Sequence, residues 1–210
     1  MKKITQKEQA YARIKRDIIL GEYKAGDILN EIEMANKYEF GKTPTREALL
    51  VLAHEKFLKP MPRVGYIVTE PVLQDVLDIF QLRALLEAEA IGLAIDRLTP
   101  AIQKELEDNN AEEKTIYNMP DQEEMRERGI RLNQEFHMII AKASGNMRLA
   151  EIVSQLINDM MRFVYMDPEI ADHTQHKHIL SLIQQRKRDE AQEAMRAHID
   201  ESRSRMMGSI

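Results

Sequence analysis

The sequence predicts a mainly α protein in two parts, a small N-terminal domain at 1–70 and an all-α domain at 71–210. In the first part, short apolar runs with helical spacing alternate with turns and β-forming residues, whereas the second part has helical periodicity almost throughout. The charge divides at the same place, since residues 1–70 carry 13 Lys and Arg against 10 Asp and Glu and the rest carries 17 against 25. A mildly basic front on an acidic body suggests an anionic partner for the first part only.

The N-terminal domain has the order helix, short helix, helix, hairpin. Helical spacing predicts a first helix over Lys7–Leu20, which Gly21 ends. After a turn at KAGDIL and two extended residues, a short helix is expected over Glu31–Tyr38 and another from about Pro44 to Lys56. KPMPRVGYIVTEP then predicts a small β-hairpin. This order is that of a winged helix-turn-helix with a hairpin wing, and a generic small α+β domain is the alternative.

The C-terminal domain is predicted to contain about six helices. After the linker TEPV, the segment LQDVLDIFQLRALLEAEAIGLAIDRL is long and strongly periodic. Breaks at NMPDQ, SGN, MDPE and RKRD separate five further helical segments, at about 99–117, 121–144, 147–166, 173–187 and 189–206. Helices joined by such short connections favour an antiparallel bundle.

Composition excludes several classes of protein. The chain has no cysteine, so disulfides and thiolate metal sites are excluded and any metal must be held by His, Asp, Glu or Asn. The N-terminus MKKITQKEQAYARIK lacks the apolar core of a secretory signal. No stretch approaches the roughly 20 apolar residues that a membrane span needs. We therefore expect a cytoplasmic protein that has no membrane partner.

The stretch GKTPTREAL, at the start of the helix predicted from Pro44, has the chemistry of a DNA contact. A helix N-terminus carries free N–H groups and a positive dipole, which suit phosphates, and in a helix-turn-helix the same residues meet base edges. Arg46 could pair bidentately with guanine, and Lys42 could do so less rigidly or hold a phosphate. An intrahelical pair with a nearby acid is the alternative for Arg46. The candidates are Lys42, Thr43, Thr45 and Arg46, with Arg63 and Gly65 at the tip of the wing.

Three histidines of the C-terminal domain lie on apolar helical stripes, whereas His173 and His178 do not and are expected to face solvent. One inward histidine is usually a hydrogen-bonded core residue. Three from three helices, with an inward asparagine four residues before one of them, match the number of ligands that a divalent metal takes from a protein. A set of hydrogen-bonded core residues remains the alternative. The candidate ligands are Asn133, His137, His176 and His198.

The N-terminal motifs resemble those of the GntR family of bacterial transcription regulators, and above all its FadR-like branch. The resemblance is carried by the LGEYKAGD turn, by TPTREAL and by PRVGYIV. The sequence departs from the usual pattern with Gly41 in place of Ser or Thr, Lys42 in place of Arg and Lys56 in place of Gly. These departures imply an operator sequence that differs from the branch's common one.

The C-terminal motifs NQEFHMIIAKASGN and HTQHKHILSLIQQRKRDEAQEAMRAHI are similar to those of the FCD ligand-binding domain of the same branch. The resemblance implies that the four candidate ligands bind a divalent metal such as Zn, Ni or Mn, and that Asn133 stands where the family commonly has Asp. It also implies that Arg83 clamps an effector carboxylate, with a surface pair to Glu87 as the alternative. Six helices rather than seven point to the shorter, VanR-like version of the domain.

Two functions from different classes follow. The favoured one is a DNA-binding transcription regulator, most simply a repressor, whose homodimer binds a palindromic double-stranded operator and responds to a small organic acid at the metal. The competing one is a metalloenzyme in which His137, His176 and His198 activate a water molecule. The sequence has no HExxH and no clear acid beside the ligands to act as a general base, which argues against the enzyme.

Overall fold

A computed structural model describes residues 4–70, 72–116, 119–161, 163 and 173–208. The chain divides into two compact units, Met1–Val72 and Leu73–Ile210. The predicted fold class is confirmed, because a helical unit with a small antiparallel sheet precedes a unit made of helices.

The N-terminal unit has the predicted order of elements. They are α1 (Gln6–Ile19), β1 (Ile28–Leu29), α2 (Glu31–Tyr38), α3 (Lys42–His54), β2 (Leu58–Met61) and β3 (Gly65–Val68). A capping box begins α1, where the Thr5 hydroxyl accepts from the backbone N–H of Glu8 and the Glu8 carboxylate accepts from that of Thr5. Helix α3 begins two residues before Pro44, and Gly41 is its N-cap without a side chain to close it. The backbone N–H groups of that first turn therefore lack a side-chain cap.

The sheet has three antiparallel strands in the order β1-β3-β2, one more than the predicted hairpin. Strand β1 joins through the pairs Ile28↔Ile67 and Leu29↔Tyr66. A glycine makes this approach possible, because a Cβ on Gly65 would lie 2.4 Å from the carbonyl oxygen of Leu29. The φ of +143° at Gly65 is also one that other residues rarely adopt.

The C-terminal unit contains the six predicted helices within the described residues. They are α4 (Leu73–Asp96), α5 (Pro100–Ile116), α6 (Gln122–Ala143), α7 (Met147–Met160), α8 (His173–Gln184) and α9 (Arg188–Gly208). The predicted end of the fourth helix at 166 and the break at MDPE lie outside the described residues. Asp121 and Asn146 cap α6 and α7 with their side-chain oxygens.

Helix α4 lies at the centre of this unit and packs against α6, α7 and α9. Helix α5 packs against α6 and α8, and α8 packs against α9. These contacts bring the inner faces of α4, α5, α6, α8 and α9 to one region of the core. None of the described helices is long and apolar enough to cross a membrane.

Candidate metal centre and nucleic-acid interface

Three buried histidines from three helices converge in the core of the C-terminal unit. His137 of α6, His176 of α8 and His198 of α9 each offer a ring nitrogen, and the three atoms lie within 4.8 Å of one another. Their exposed fractions are 2%, 1% and 7%. The sequence placed these three histidines on the apolar faces of three helices. In the structure, those helices bring the three side chains together in the core.

Buried carboxylates fix the orientation of two of these rings. The Nδ1 atom of His137 lies against Oε2 of Glu87, and Nδ1 of His176 lies 2.7 Å from Oε1 of Glu113. A carboxylate only accepts hydrogen bonds, so each Nδ1 carries the proton and each Nε2 keeps a free lone pair. Metal-ligating histidines typically donate their other ring N–H to a carboxylate in this way.

The Nε2 atoms of the three rings are arranged in a way that fits a cation. Nε2 of His176 is buried and has no hydrogen-bond partner among the described residues. Nε2 of His198 lies 3.3 Å from Nε2 of His137. Unpaired buried polar atoms are costly, and the Nε2 lone pairs of His137 and His198 would repel each other where both rings carry the proton on Nδ1. A divalent ion that accepts imidazole nitrogens, such as Zn or Ni, would satisfy all three.

The other two predicted site residues, Asn133 and Arg83, are also buried, Asn133 on α6 with His137 and Arg83 on α4 with Glu87. Asn133 is buried on α6, one turn before His137. Arg83 is 2% exposed, and its Nε donates to Oε1 of Glu87 at 2.6 Å. The ion pair between Arg83 and Glu87, which was the alternative to a contact of Arg83 with an effector, is therefore present. It is buried and not at the surface, where it was expected. Arg83 holds the carboxylate that in turn contacts His137.

This ion pair keeps Glu87 charged in the core. Burial by itself would raise the pKa of Glu87, but the charge of Arg83 and the contact with His137 outweigh it and hold the pKa at about 2. Burial lowers the pKa of His137 below its usual value in spite of that contact. Because Arg83 supplies the leading favourable charge, Glu87 stays ionised beside a neutral imidazole, which is the form that binds metal.

Two acids lie beside the histidines, although the sequence predicted no clear acid there that could act as a general base. Glu87 and Glu113 contact two of the three rings. A signal was available, because Asn109 and Glu113 lie four residues apart on the stripe of α5 that also buries Leu106. A carboxylate on an apolar stripe needs a buried partner, as the histidines do.

The lowered pKa values of His137 and His198 make the metal-free protein sensitive to acid. Burial lowers the pKa of His137, and it lowers that of His198 well below the usual value, with the charges of the neighbouring histidines adding to the effect. The unfolded chain, with histidine pKa values of about 6.5, therefore binds more protons than the folded one just below that pH. We expect the melting temperature to fall as the pH drops below about 6.5. Thermal melts with chelator present would measure this, and a curve that is equally flat for wild type and His198→Gln would contradict it.

Of the six residues that were predicted to contact DNA, four lie on α3, and three of these four are on its exposed face. Lys42, Thr43 and Arg46 are exposed, whereas Thr45 is fully buried. The Thr45 hydroxyl donates to the carbonyl of Gly41 at 2.9 Å. Thr45 follows the inner helical spacing of Ala48, Leu49 and Leu52, and its side chain is therefore removed from the candidate DNA surface.

Arg46 pairs with an acid of another helix rather than of its own. Its Nε lies 3.7 Å from Oε1 of Glu31 in the first turn of α2, and its side chain stays 67% exposed. Arg63 is exposed in the turn between β2 and β3, with a φ of +67°. Gly65, predicted to allow close approach of DNA, is instead required by the approach of β1.

Comparison with known proteins decides the family. Residues 78–201 match the FCD domain family, and residues 6–68 match the family described as bacterial regulatory proteins, gntR family. The chain belongs to the GntR family and carries an FCD domain. This GntR regulator is 29% identical to the uncharacterized HTH-type transcriptional regulator YdhC of Bacillus subtilis (strain 168) over 202 residues, which are 91% of the chain and 87% of the relative. It is 31% identical to the Nta operon transcriptional regulator of Aminobacter aminovorans over 185 residues, 84% of the chain and 83% of the relative.

The fold of the GntR regulator is also that of a solved structure. E. coli McbR/YncC superposes with a TM-score of 0.79 at 21% sequence identity, covering 98% of this chain and 99% of the other. The family and the relatives identify a transcription regulator and not an enzyme, so the metalloenzyme hypothesis is set aside. Membership of the VanR-like subgroup stays a prediction.

Proposed function

We propose that this GntR regulator is a homodimeric repressor that binds a palindromic operator and responds to a small carboxylate at a divalent metal centre. The observation that carries the proposal is the convergence of three buried imidazoles, each of which has a ring nitrogen within 4.8 Å of the other two. The metal ligands would be Asn133, His137, His176 and His198.

The charges around the centre favour an anionic effector. With neutral imidazoles, the carboxylates of Glu87 and Glu113 and the guanidinium of Arg83 leave one net negative charge. A divalent cation reverses that sign and supplies a positive site that attracts a carboxylate. The buried pair with Glu87 favours an indirect role for Arg83, which holds Glu87 against His137 rather than clamping the effector itself.

The exposed face of α3 is the candidate surface for sequence-specific contacts with the operator. Lys42 and Thr43 lie in its first turn, where N–H groups and the helix dipole attract phosphate. Arg46 lies one turn further on and can pair bidentately with guanine once it leaves Glu31. Arg63 lies in the turn between β2 and β3, and from there its side chain would contact a groove or the phosphate backbone of the operator.

Exposed apolar side chains on two adjacent helices favour a homodimer through the C-terminal unit. Leu82 and Leu85 of α4 are 47% and 60% exposed, and Met147 and Ile152 of α7 are 62% and 49% exposed. Since α4 packs against α7, these residues belong to neighbouring helices. Exposed apolar patches of this kind mark interaction surfaces. Two DNA-binding units joined in this way would bind half-sites about one helical turn apart.

Helix α4 offers a route from the metal centre to the DNA-binding unit. It carries Glu87, which contacts the ring of His137, and Arg83, which pairs with Glu87. It begins at Leu73, the first residue after the N-terminal unit. An effector that shifts α4 would change how the two units of a dimer present their α3 helices. Such a coupling must appear as a change in DNA affinity.

Fluorescence anisotropy with the DNA upstream of the regulator's own gene tests this function. Specific binding at low salt, a dimer mass and bound metal in native mass spectrometry are expected. The proposal fails if no upstream fragment is bound more tightly than a scrambled one of the same length.

Replacing Asn133 by aspartate is expected to increase metal affinity. A carboxylate is a charged and stronger donor than a neutral amide oxygen, and it would replace the amide on the same turn of α6. Competition titrations with a chromogenic chelator measure the change, and wild type and Asn133→Asp should separate clearly in retention after chelation. Equal retention would show that residue 133 is not a ligand.

A further inference from the structure

The third histidine of the centre is oriented by an amide rather than by a carboxylate. Nδ1 of His198 lies 2.5 Å from Oε1 of Gln175, which is in the first turn of α8. The other end of the same amide, Nε2 of Gln175, donates to Oε2 of Glu201 at 2.5 Å. Glu201 is exposed on α9, so a chain of two hydrogen bonds runs from the surface to a buried ring.

The surface carboxylate determines the direction of every bond in this chain. Glu201 can only accept, so it selects the amide orientation of Gln175 in which Nε2 faces it. The oxygen of Gln175 must then face His198, and because that oxygen only accepts, Nδ1 of His198 must carry the proton. The tautomer with a free Nε2 lone pair, the one that can bind a metal, follows from this order.

The dependence is specific to His198. The carboxylates beside His137 and His176 accept through either oxygen, so a rotation by half a turn changes nothing for those rings. An amide rotated by half a turn would instead present N–H groups to His198 and favour the proton on Nε2, which blocks that atom as a ligand. The chain also borders a groove of about 280 Å³ between α8 and α9, so solvent reaches its outer end.

We propose that Glu201 is a positioning residue that, through Gln175, holds His198 in the metal-binding tautomer. The inference rests on the proposed metal centre for its purpose, but the tautomer itself is a property of the metal-free protein. Glu201 contacts neither the ring nor the metal ligands' Nε2 atoms, and it acts only by selecting the orientation of the amide.

Glu201→Lys is the decisive variant, because an ammonium only donates and would select the opposite amide orientation. Long-range 1H–15N spectra of the metal-free protein should show the proton of His198 on Nδ1 in the wild type and on Nε2 in the variant. Metal affinity, from competition with a chromogenic chelator, should fall by about 10–100-fold, the range found when outer-shell partners of metal ligands are lost.

A second change should reverse the first. In Glu201→Lys combined with Gln175→Glu, the new carboxylate accepts from both the lysine and His198, so the Nδ1–H tautomer and the metal affinity should return. Glu193→Lys is the matched control, since Glu193 lies on the same helix with a 78% exposed side chain and makes the same change of charge. It should leave the tautomer of His198 unchanged.

The hydrogen-bond relay formed by Glu201, Gln175 and His198 can be disproved separately from the proposed metal centre. An Nδ1–H tautomer that persists in Glu201→Lys, or a double variant that does not recover it, would overturn the relay. An equal loss of metal affinity in Glu193→Lys would also overturn it, because charge alone would then explain the effect. If His198 of the wild type has the Nδ1–H tautomer but the protein binds no divalent ion, the proposed metal centre would be disproved. The relay itself would not be affected by that result.

Discussion

Replacing His176 by alanine is expected to abolish tight binding of divalent metal. The variant removes one of the three converging nitrogens and leaves the carboxylate of Glu113 in the core without its imidazole partner. Loss of an outer-shell partner typically lowers metal affinity by about 10–100-fold, and loss of a direct ligand should exceed the upper end of that range. Competition titration with a chromogenic chelator measures the change.

The same variant should lose the stabilisation that metal gives to the folded protein. A ligand present at about 100 times its dissociation constant stabilises the folded state by about 2.7 kcal/mol, so metal should raise the melting temperature of the wild type. His178→Ala is the matched control, because His178 is exposed on the same helix and is not one of the three converging residues. Equal metal affinities for His176→Ala, His178→Ala and wild type would show that the metal binds elsewhere.

Arg46→Ala is expected to weaken operator binding and to reduce its sequence selectivity. A bidentate arginine–guanine pair contributes about 1–3 kcal/mol of discrimination, so specific affinity should fall by about 5–150-fold while binding to scrambled DNA changes little. The pair with Glu31 does not prevent this role, since the Arg46 side chain is 67% exposed and such exposed pairs contribute little. Anisotropy titrations on both DNAs provide the measurement.

The Lys42→Ala variant tests whether Lys42 contacts a base or a phosphate of the operator. Lys42 lies at the first position of α3 and is exposed. If it holds a phosphate, the variant should bind all sequences more weakly by a similar factor, and the slope of log affinity against log salt should decrease by about 1. A uniform loss in Arg46→Ala as well would mean that Arg46 contacts the backbone and not a base.

Much of the N-terminal unit could be predicted because its signals are local. The short helix Glu31–Tyr38 has the predicted bounds, and α3 begins only two residues before the predicted proline. Strand β1 was missed as a strand, because two residues carry no alternation and its partner β3 lies almost 40 residues away along the chain. The requirement for Gly65 belongs to that distant pairing and could not be seen in the local pattern.

The candidate metal centre was predictable only in part. Helical spacing placed His137, His176 and His198 on inner faces, and the three meet as a metal site requires. The orienting partners lie on other helices, so the pairing of Glu113 with His176 and of Gln175 with His198 could be found only from the fold. Thr45 was assigned to the DNA surface from the chemistry of its motif, although its spacing to Ala48 and Leu52 already indicated the inner face.

We propose that a metal centre in the C-terminal unit controls DNA binding by the N-terminal unit. The most direct test is the operator affinity of the wild type, measured by anisotropy with a panel of small carboxylates, with metal present and after chelation. We predict that at least one carboxylate changes the affinity by about 5–150-fold, the usual range of allosteric coupling, and that chelation or His176→Ala removes the effect. An effector response that is identical with metal, after chelation and in His176→Ala would contradict the account.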